Sequence, residues 1–179
     1  HLSIRRQRQM CIRDRYESRD TNTGSPLFVN SATGRPGTSD MVIVTVGGTL
    51  VHSVVHWLEV EPTGSISPIY YGGVSGGNHR FIRRSDGAVV ATQPTGAPAS
   101  YDTFVIYTVT DSAGNDYYVF YGLRWRGSMA STHKLLEWVQ QNQLGSHTYS
   151  YEVWRWDDTN GDGMANLPPV DTYTLLAYG

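Results

Sequence analysis

Thr103-Phe104-Val105-Ile106-Tyr107-Thr108-Val109-Thr110, the spacer Asp111-Ser112-Ala113-Gly114-Asn115, and Asp116-Tyr117-Tyr118-Val119-Phe120-Tyr121 decide the fold. Aromatic and β-branched residues fill both arms and turn formers fill the spacer, so the stretch predicts an antiparallel hairpin. Side chains alternate along a strand, which puts Phe104, Ile106 and Thr108 on one face and Val105, Tyr107 and Val109 on the other. Both faces are apolar enough to need cover, and a strand inside a packed β-sandwich provides it.

The same signals recur on either side of this stretch. Met41 to Val46 is a β-branched run ended by Gly47-Gly48, and Leu50 to Val60 is a second run stopped at Glu61-Pro62; two strands joined by a Gly-Gly turn is the simplest expectation. Ile66 to Tyr71 predicts a short strand and Gly72 to Gly77 a flexible stretch. Arg80 to Arg84 and Ala88 to Thr92 flank Ser85-Asp86-Gly87, a hairpin signal because glycine accepts the positive φ of such a turn. Gln93 to Ser100 reads as a linker or long loop. One short helix is expected over 131–144, capped by Ser131-Thr132, carrying Leu135, Leu136 and Val139 at helical spacing with Trp138 at its edge, and ended by Gly145; its expected place is one end of the sandwich. His147 to Trp156 alternates as a strand, with Thr172 to Tyr178 as its partner.

Composition divides the chain. Residues 1–20 hold six Arg against Asp14, Glu17 and Asp20, a net of +3, so the whole-chain charge of −2 leaves −5 for residues 21–179. An Arg-rich arm of this kind suits a nucleic-acid or membrane contact or a transit peptide. However, Arg8-Gln9-Met10-Cys11-Ile12-Arg13-Asp14-Arg15 resembles a translated sequencing-adapter remnant of the sort found in metagenomic or transcriptomic assemblies, and 1–20 is set aside as disordered and artefactual. Because the chain opens at His1, the expectation is that the true N-terminus and any signal peptide are missing. Residues 21–40, rich in Ser, Thr, Asn, Gly and Pro with an apolar patch at Leu27-Phe28-Val29, read as a loop, linker or loosely attached first strand, and 41–179 as the β-sandwich domain. After Arg35 that body carries six Arg, with Lys134 as the single lysine, too few for the wide basic face that nucleic-acid binding needs. No apolar run reaches the ~18 residues of a membrane span. The single cysteine is Cys11, so the body has no disulfide and its redox compartment stays undetermined.

The most specific stretch is Trp154-Arg155-Trp156-Asp157-Asp158-Thr159-Asn160-Gly161-Asp162-Gly163, followed by Leu167-Pro168-Pro169 and Asp171-Thr172-Tyr173-Thr174-Leu175: a strand, a polar loop and a return strand. It resembles the terminal hairpin of bacterial immunoglobulin-like modules such as those of flagellar hook-cap proteins and the intracellular proteinase inhibitor family. With the second family the resemblance extends over roughly residues 101–178. Phe104 to Asn115 looks like its strand and Asp-x-x-Gly turn, and Arg124-Trp125-Arg126-Gly127-Ser128-Met129 is similar to its Arg-Trp-Ser-x-Gly segment. Asp171 departs from the pattern, standing where the family has Gly, and the loop is longer. The resemblance implies an all-β, antiparallel immunoglobulin-like β-sandwich with one short helix, and an inhibitor function in which Arg124 to Met129 or Asp157 to Pro169 meets the target; a shared fold does not carry function with it.

The same loop has two readings. Asp158-x-Asn160-x-Asp162-Gly163 offers oxygens at the first, third and fifth positions of a calcium loop, with the Met164 carbonyl and Asn166 as further ligands, yet Pro169 stands where a bidentate acid belongs. A weak Ca²⁺ site borrowing Asp171 or Asp157 is one reading, a polar Asx-rich turn the other. His52 and His56 have the spacing of a helical metal pair, but in the expected strand they are ~13 Å apart and cannot share an ion. Trp154 and Trp156 share one face of their strand, opposite Tyr149, Tyr151 and Val153; exposed, they form a sugar-stacking platform, and buried, they are core. No Gly-x-Ser-x-Gly, His-Glu-x-x-His or phosphate loop occurs. The expectation is a non-catalytic module, without catalytic residues or a required cofactor, for protein binding or structural assembly in a secreted or surface protein of bacterial or phage type. A proteinase inhibitor and a carbohydrate-binding module are the alternatives, with no nucleic-acid partner.

Overall fold

The structure is a computed structural model that describes residues 33–37, 39–61, 65–143 and 149–179. The readings of 1–20 and of Leu27 to Val29 lie outside these residues, as do Leu144, Gly145 and His147 themselves; the strand expected from His147 starts only at Tyr151. The deciding hairpin forms as expected: β5 (Tyr101–Thr110) pairs antiparallel with β6 (Asp116–Gly122), from Phe104 opposite Gly122 to Thr110 opposite Asp116. On its other side β5 pairs antiparallel with β7 (Tyr151–Asp157), which pairs with β8 (Thr172–Tyr178). β1 (Val42–Val46) adds to β6 in parallel, giving a five-stranded sheet of order β1-β6-β5-β7-β8. β2 (Ile69–Ser75), β3 (Asn78–Arg83) and β4 (Val89–Pro94) form a three-stranded antiparallel sheet. The β3–β4 hairpin turns at the expected place, whereas Gly72 to Ser75 belong to β2 and leave only Gly76-Gly77 as the turn.

Both faces of the central strands are buried, as their alternation requires. Val105 and Tyr107 with Tyr117, Val119, Tyr121, Tyr151 and Val153 pack against Ile69 and Phe81 of the smaller sheet. Phe104, Ile106, Phe120 and Trp156 pack against Ala130 and Trp138 of a helix. The molecule is therefore mostly β, two largely antiparallel sheets packed as a sandwich, with two helices. Among the described residues no helix is long and apolar enough to cross a membrane.

Further expectations fail at the two helices, for tertiary reasons. Leu50 to Val60 is not a strand: Ser53–Glu59 is a helix, α1, burying Val54, Val55, Trp57 and Leu58 in the inter-sheet core. Those positions follow the i, i+3, i+4 pattern, and burial on that stripe outweighs the β preference of valine. With a helix after Gly47-Gly48 no hairpin is available to β1, which pairs with β6 instead, led in by the Met41 N–H on Asn115 Oδ1 (3.1 Å).

The second helix, α2, spans Trp125–Gln140, beginning six residues before the expected start at Ser131 and ending at Gln140, short of the expected end at 144. Ser131 and Thr132 do not cap it; inside the helix their hydroxyls donate back to the carbonyls of Ser128 (2.7 Å) and Met129 (2.6 Å). The start is set from outside, where Asp102 Oδ2 accepts the Gly127 N–H at 2.6 Å. Only glycine permits this approach: a Cβ on Gly127 would stand 2.8 Å from both the Gly122 Cα and the Thr103 carbonyl oxygen. Anchored there, α2 lies across a face of the five-stranded sheet rather than closing an end of the sandwich.

Candidate functional site

The start of β5, the ends of β6 and β7, the start of β8 and the first turn of α2 gather at one end of the sheet. Asp102 organises that end. Its carboxylate is fully buried, accepts the N–H groups of Thr103 (2.8 Å) and Gly127, and has Arg124 Nε 3.9 Å away. Burial pushes this carboxyl above its ordinary range, against the opposing pull of the Gly127 N–H and Arg124. Arg124 precedes the helix and donates to the carbonyls of Ala97 (2.6 Å), Pro98 (3.0 Å) and Tyr101 (2.7 Å), which fastens the turn before β5. Arg124 to Met129 is thus the beginning of α2 and not a free loop.

Arg126 joins the two segments that the sequence singles out for target contact. Its Nε donates to the Gly163 carbonyl at 2.9 Å while its guanidinium stacks 4.3 Å over the Trp125 ring. The 158–171 loop is ordered from within. Asp158 accepts the N–H groups of Gly161 and Gly163, both at 2.7 Å. Asp162 accepts the Met164 N–H (2.8 Å) and the side-chain amides of Asn160 (2.9 Å) and Asn166 (3.0 Å), and these bonds hold its carboxyl below the usual value. Asn166 also donates to the Met164 carbonyl at 3.1 Å. Beneath them Asp171, only 2% exposed, accepts Trp156 Nε1 (2.8 Å), the Asn166 N–H (2.7 Å) and the Thr159 N–H (3.1 Å).

All five residues of the calcium reading therefore lie in one loop, where the side-chain oxygens of Asp158, Asn160 and Asp162 and the Met164 carbonyl face N–H donors of the loop itself. That is the arrangement of an Asx-rich turn. Among the described residues no group of three or more His, Cys, Asp or Glu side chains gathers to hold a metal ion. His52 is the N-cap of α1 and His56 lies in its last turn, neither of them in a strand, and His56 is engaged with Thr49 Oγ1 (3.4 Å) and Glu61 (3.4 Å).

Trp154 and Trp156 share a face, and α2 covers it. Trp156 is fully buried, and Trp154 is half-buried with Lys134 Nζ 4.2 Å over its ring and its Nε1 on Glu152 (2.8 Å). No sugar-stacking platform exists at this pair. Among the tryptophans, all of them described, it is Trp125 that faces solvent, 55% exposed at the first helical position, near a loop that presents Met164, Leu167 and Val170 outward. Composition gives no hint of Trp125's exposure, which is set by how α2 packs on the sheet. No protein-family model matches this chain, and no curated protein or solved structure is significantly similar to it.

Proposed function

We propose that the protein is a non-catalytic module that binds a protein partner through Trp125 and the 158–171 loop. One observation carries this reading: the loop satisfies its polar groups internally while Trp125, Met164, Leu167 and Val170 stay exposed. A pre-ordered loop with apolar side chains outward loses little conformational entropy on binding, and exposed aromatics are what interface centres use. An immunoglobulin-like ancestry belongs to the same proposal, supported by the packed, largely antiparallel sheets; the parallel β1–β6 edge and α2 across one face depart from that pattern. Proteinase inhibition is its narrower form, favoured by the internal bracing of the loop.

Peptide-library panning against the wild-type protein, with counter-selection on a Trp125→Ser, Met164→Ser variant, is the direct test. A convergent peptide set that loses about tenfold or more in affinity for the variant is the expected result; the absence of any such set overturns the proposal. A panel of serine proteases, assayed at stoichiometric amounts of protein, decides the narrower form by whether any is slowed.

A further inference from the structure

At the opposite side of the five-stranded sheet a carboxyl group is sealed between the sheets. Glu59, the last residue of α1, is 3% exposed. Its Oε1 accepts the Tyr121 hydroxyl (2.7 Å) and the Tyr107 hydroxyl (3.2 Å), and its Oε2 accepts the Tyr71 N–H (3.1 Å). One carboxyl thus joins β5 and β6 of the larger sheet to β2 of the smaller. Its own backbone carbonyl accepts Arg84 Nη2 at 2.7 Å, and Arg84 also holds the Ser67 carbonyl (2.7 Å) and hydroxyl (3.0 Å), so the same residue fastens the turn after β3.

We propose that Glu59 is a proton-operated latch between the two sheets: while its carboxyl is protonated the three-stranded sheet stays docked on β5 and β6, and loss of the proton loosens that docking. The groups facing the carboxyl are few. β5 contributes Tyr107, β6 Tyr121, the turn after β3 Arg84, and β2 only the Tyr71 backbone; on α1 itself His56 is engaged with Glu61. Both tyrosine hydroxyls stay neutral, since burial and then the Glu59 charge push them well above the ordinary tyrosine range. Among the described residues Arg84 is the cation that acts on the carboxyl, and its donors go to carbonyls and to Ser67. The protonated acid has a place to donate: the Tyr107 hydroxyl, the longer of the two contacts, can rotate to accept.

Burial dominates the balance and raises the Glu59 carboxyl from the ordinary 4.5 to about 7, against the bonds from Tyr121, Tyr71 and Tyr107 and the Arg84 charge. Opening the sheets returns it to water and to the ordinary value. The docked state thus binds the proton more tightly than the opened one. Docking is fully favoured at acid pH, weakens once pH exceeds the ordinary value, and is weakest above the docked value.

Amide hydrogen exchange at about pH 5 and about pH 8, corrected for intrinsic rates, tests this. Over that span the linkage predicts on the order of 100-fold loss of protection for β2, β3 and β4 amides. β5 and β6 amides are expected to remain protected beyond that, because the opening is of one sheet from the other. Glu59→Gln is expected to remove the pH dependence. Tyr121→Phe, which keeps the packing but removes the shortest bond to the ionised form, is expected to move the transition upward by about one pH unit. Protection that is insensitive to pH, an equal loss across both sheets, or an unmoved transition in Tyr121→Phe overturns the proposal.

Discussion

Replacing Asp171 should unfasten the 158–171 loop more than any other single change, and the size of the effect follows from its partners. Asp171→Ala leaves three donors without an acceptor: the fully buried Trp156 Nε1 and the N–H groups of Asn166 and Thr159. The two backbone groups can recruit water as the loop relaxes, but the indole N–H lies in the core beneath α2 and cannot. A buried donor left unsatisfied costs about 1–3 kcal/mol and each bond to a carboxylate contributes about 1.5–3 kcal/mol, so the alanine variant is expected to lose about 3–5 kcal/mol. Asp171→Asn is a finer probe. Its carbonyl oxygen can keep both Trp156 and Asn166, while its amide nitrogen then faces the Thr159 N–H, donor against donor, at a cost of about 1–2 kcal/mol. Urea unfolding followed by tryptophan fluorescence reads both values, and hydrogen exchange across 158–171 shows whether the loss is local. A change below about 1 kcal/mol for Asp171→Ala, or an Asn variant as unstable as the Ala variant, refutes the assignment of Asp171 as the loop's anchor.

Other consequences are open to measurement. Gly127→Ala places a Cβ 2.8 Å from the Gly122 Cα and the Thr103 carbonyl oxygen, so despite alanine's better helix propensity the melting temperature should fall, by an overpacking cost of about 1–3 kcal/mol; an unchanged or raised melting temperature removes the close-approach argument. Burial pushes the Asp111 carboxyl up, but bonds from the Asn115 side chain and backbone, the Tyr117 hydroxyl and the Ala113 N–H outweigh it and hold the group below its ordinary value. The stability it contributes is present above the ordinary carboxylate value and is lost as pH falls through its lowered one, opposite in sign to Glu59; acid unfolding curves of Asp111→Asn should be flatter in that range, and identical curves would contradict the sign. Because the oxygens of Asp158 and Asp162 already accept N–H donors, millimolar Ca²⁺ should leave the melting temperature unchanged, and a rise abolished by Asp158→Ala would show that the loop re-forms around the cation.

The three hairpins β3–β4, β5–β6 and β7–β8 were legible because alternation and turn chemistry act between near neighbours. Asp86-Gly87 and Asp111 to Asn115 specify their turns locally, whatever the rest of the chain does. α1 was not legible in the same way: Val54, Val55, Trp57 and Leu58 satisfy a β-branched run and a helical stripe equally, and the choice falls to the inter-sheet core in which they are buried. For the candidate site the chain order placed Arg124 to Met129 and Asp157 to Pro169 in view as separate segments, and the Arg126 contact with Gly163 joins them across 37 positions.

The sequence alone determined the three hairpins, where their turns fall, and that Trp154 and Trp156 share a face, since all of these follow from a period of two residues and from local φ preferences. Tertiary structure alone decided where α2 begins, which tryptophans are covered and which one faces water. The cause is distance along the chain: Asp102 reaches the Gly127 N–H 25 residues away, Asp171 reaches Trp156 15 residues away, and neither contact leaves a mark on any local pattern.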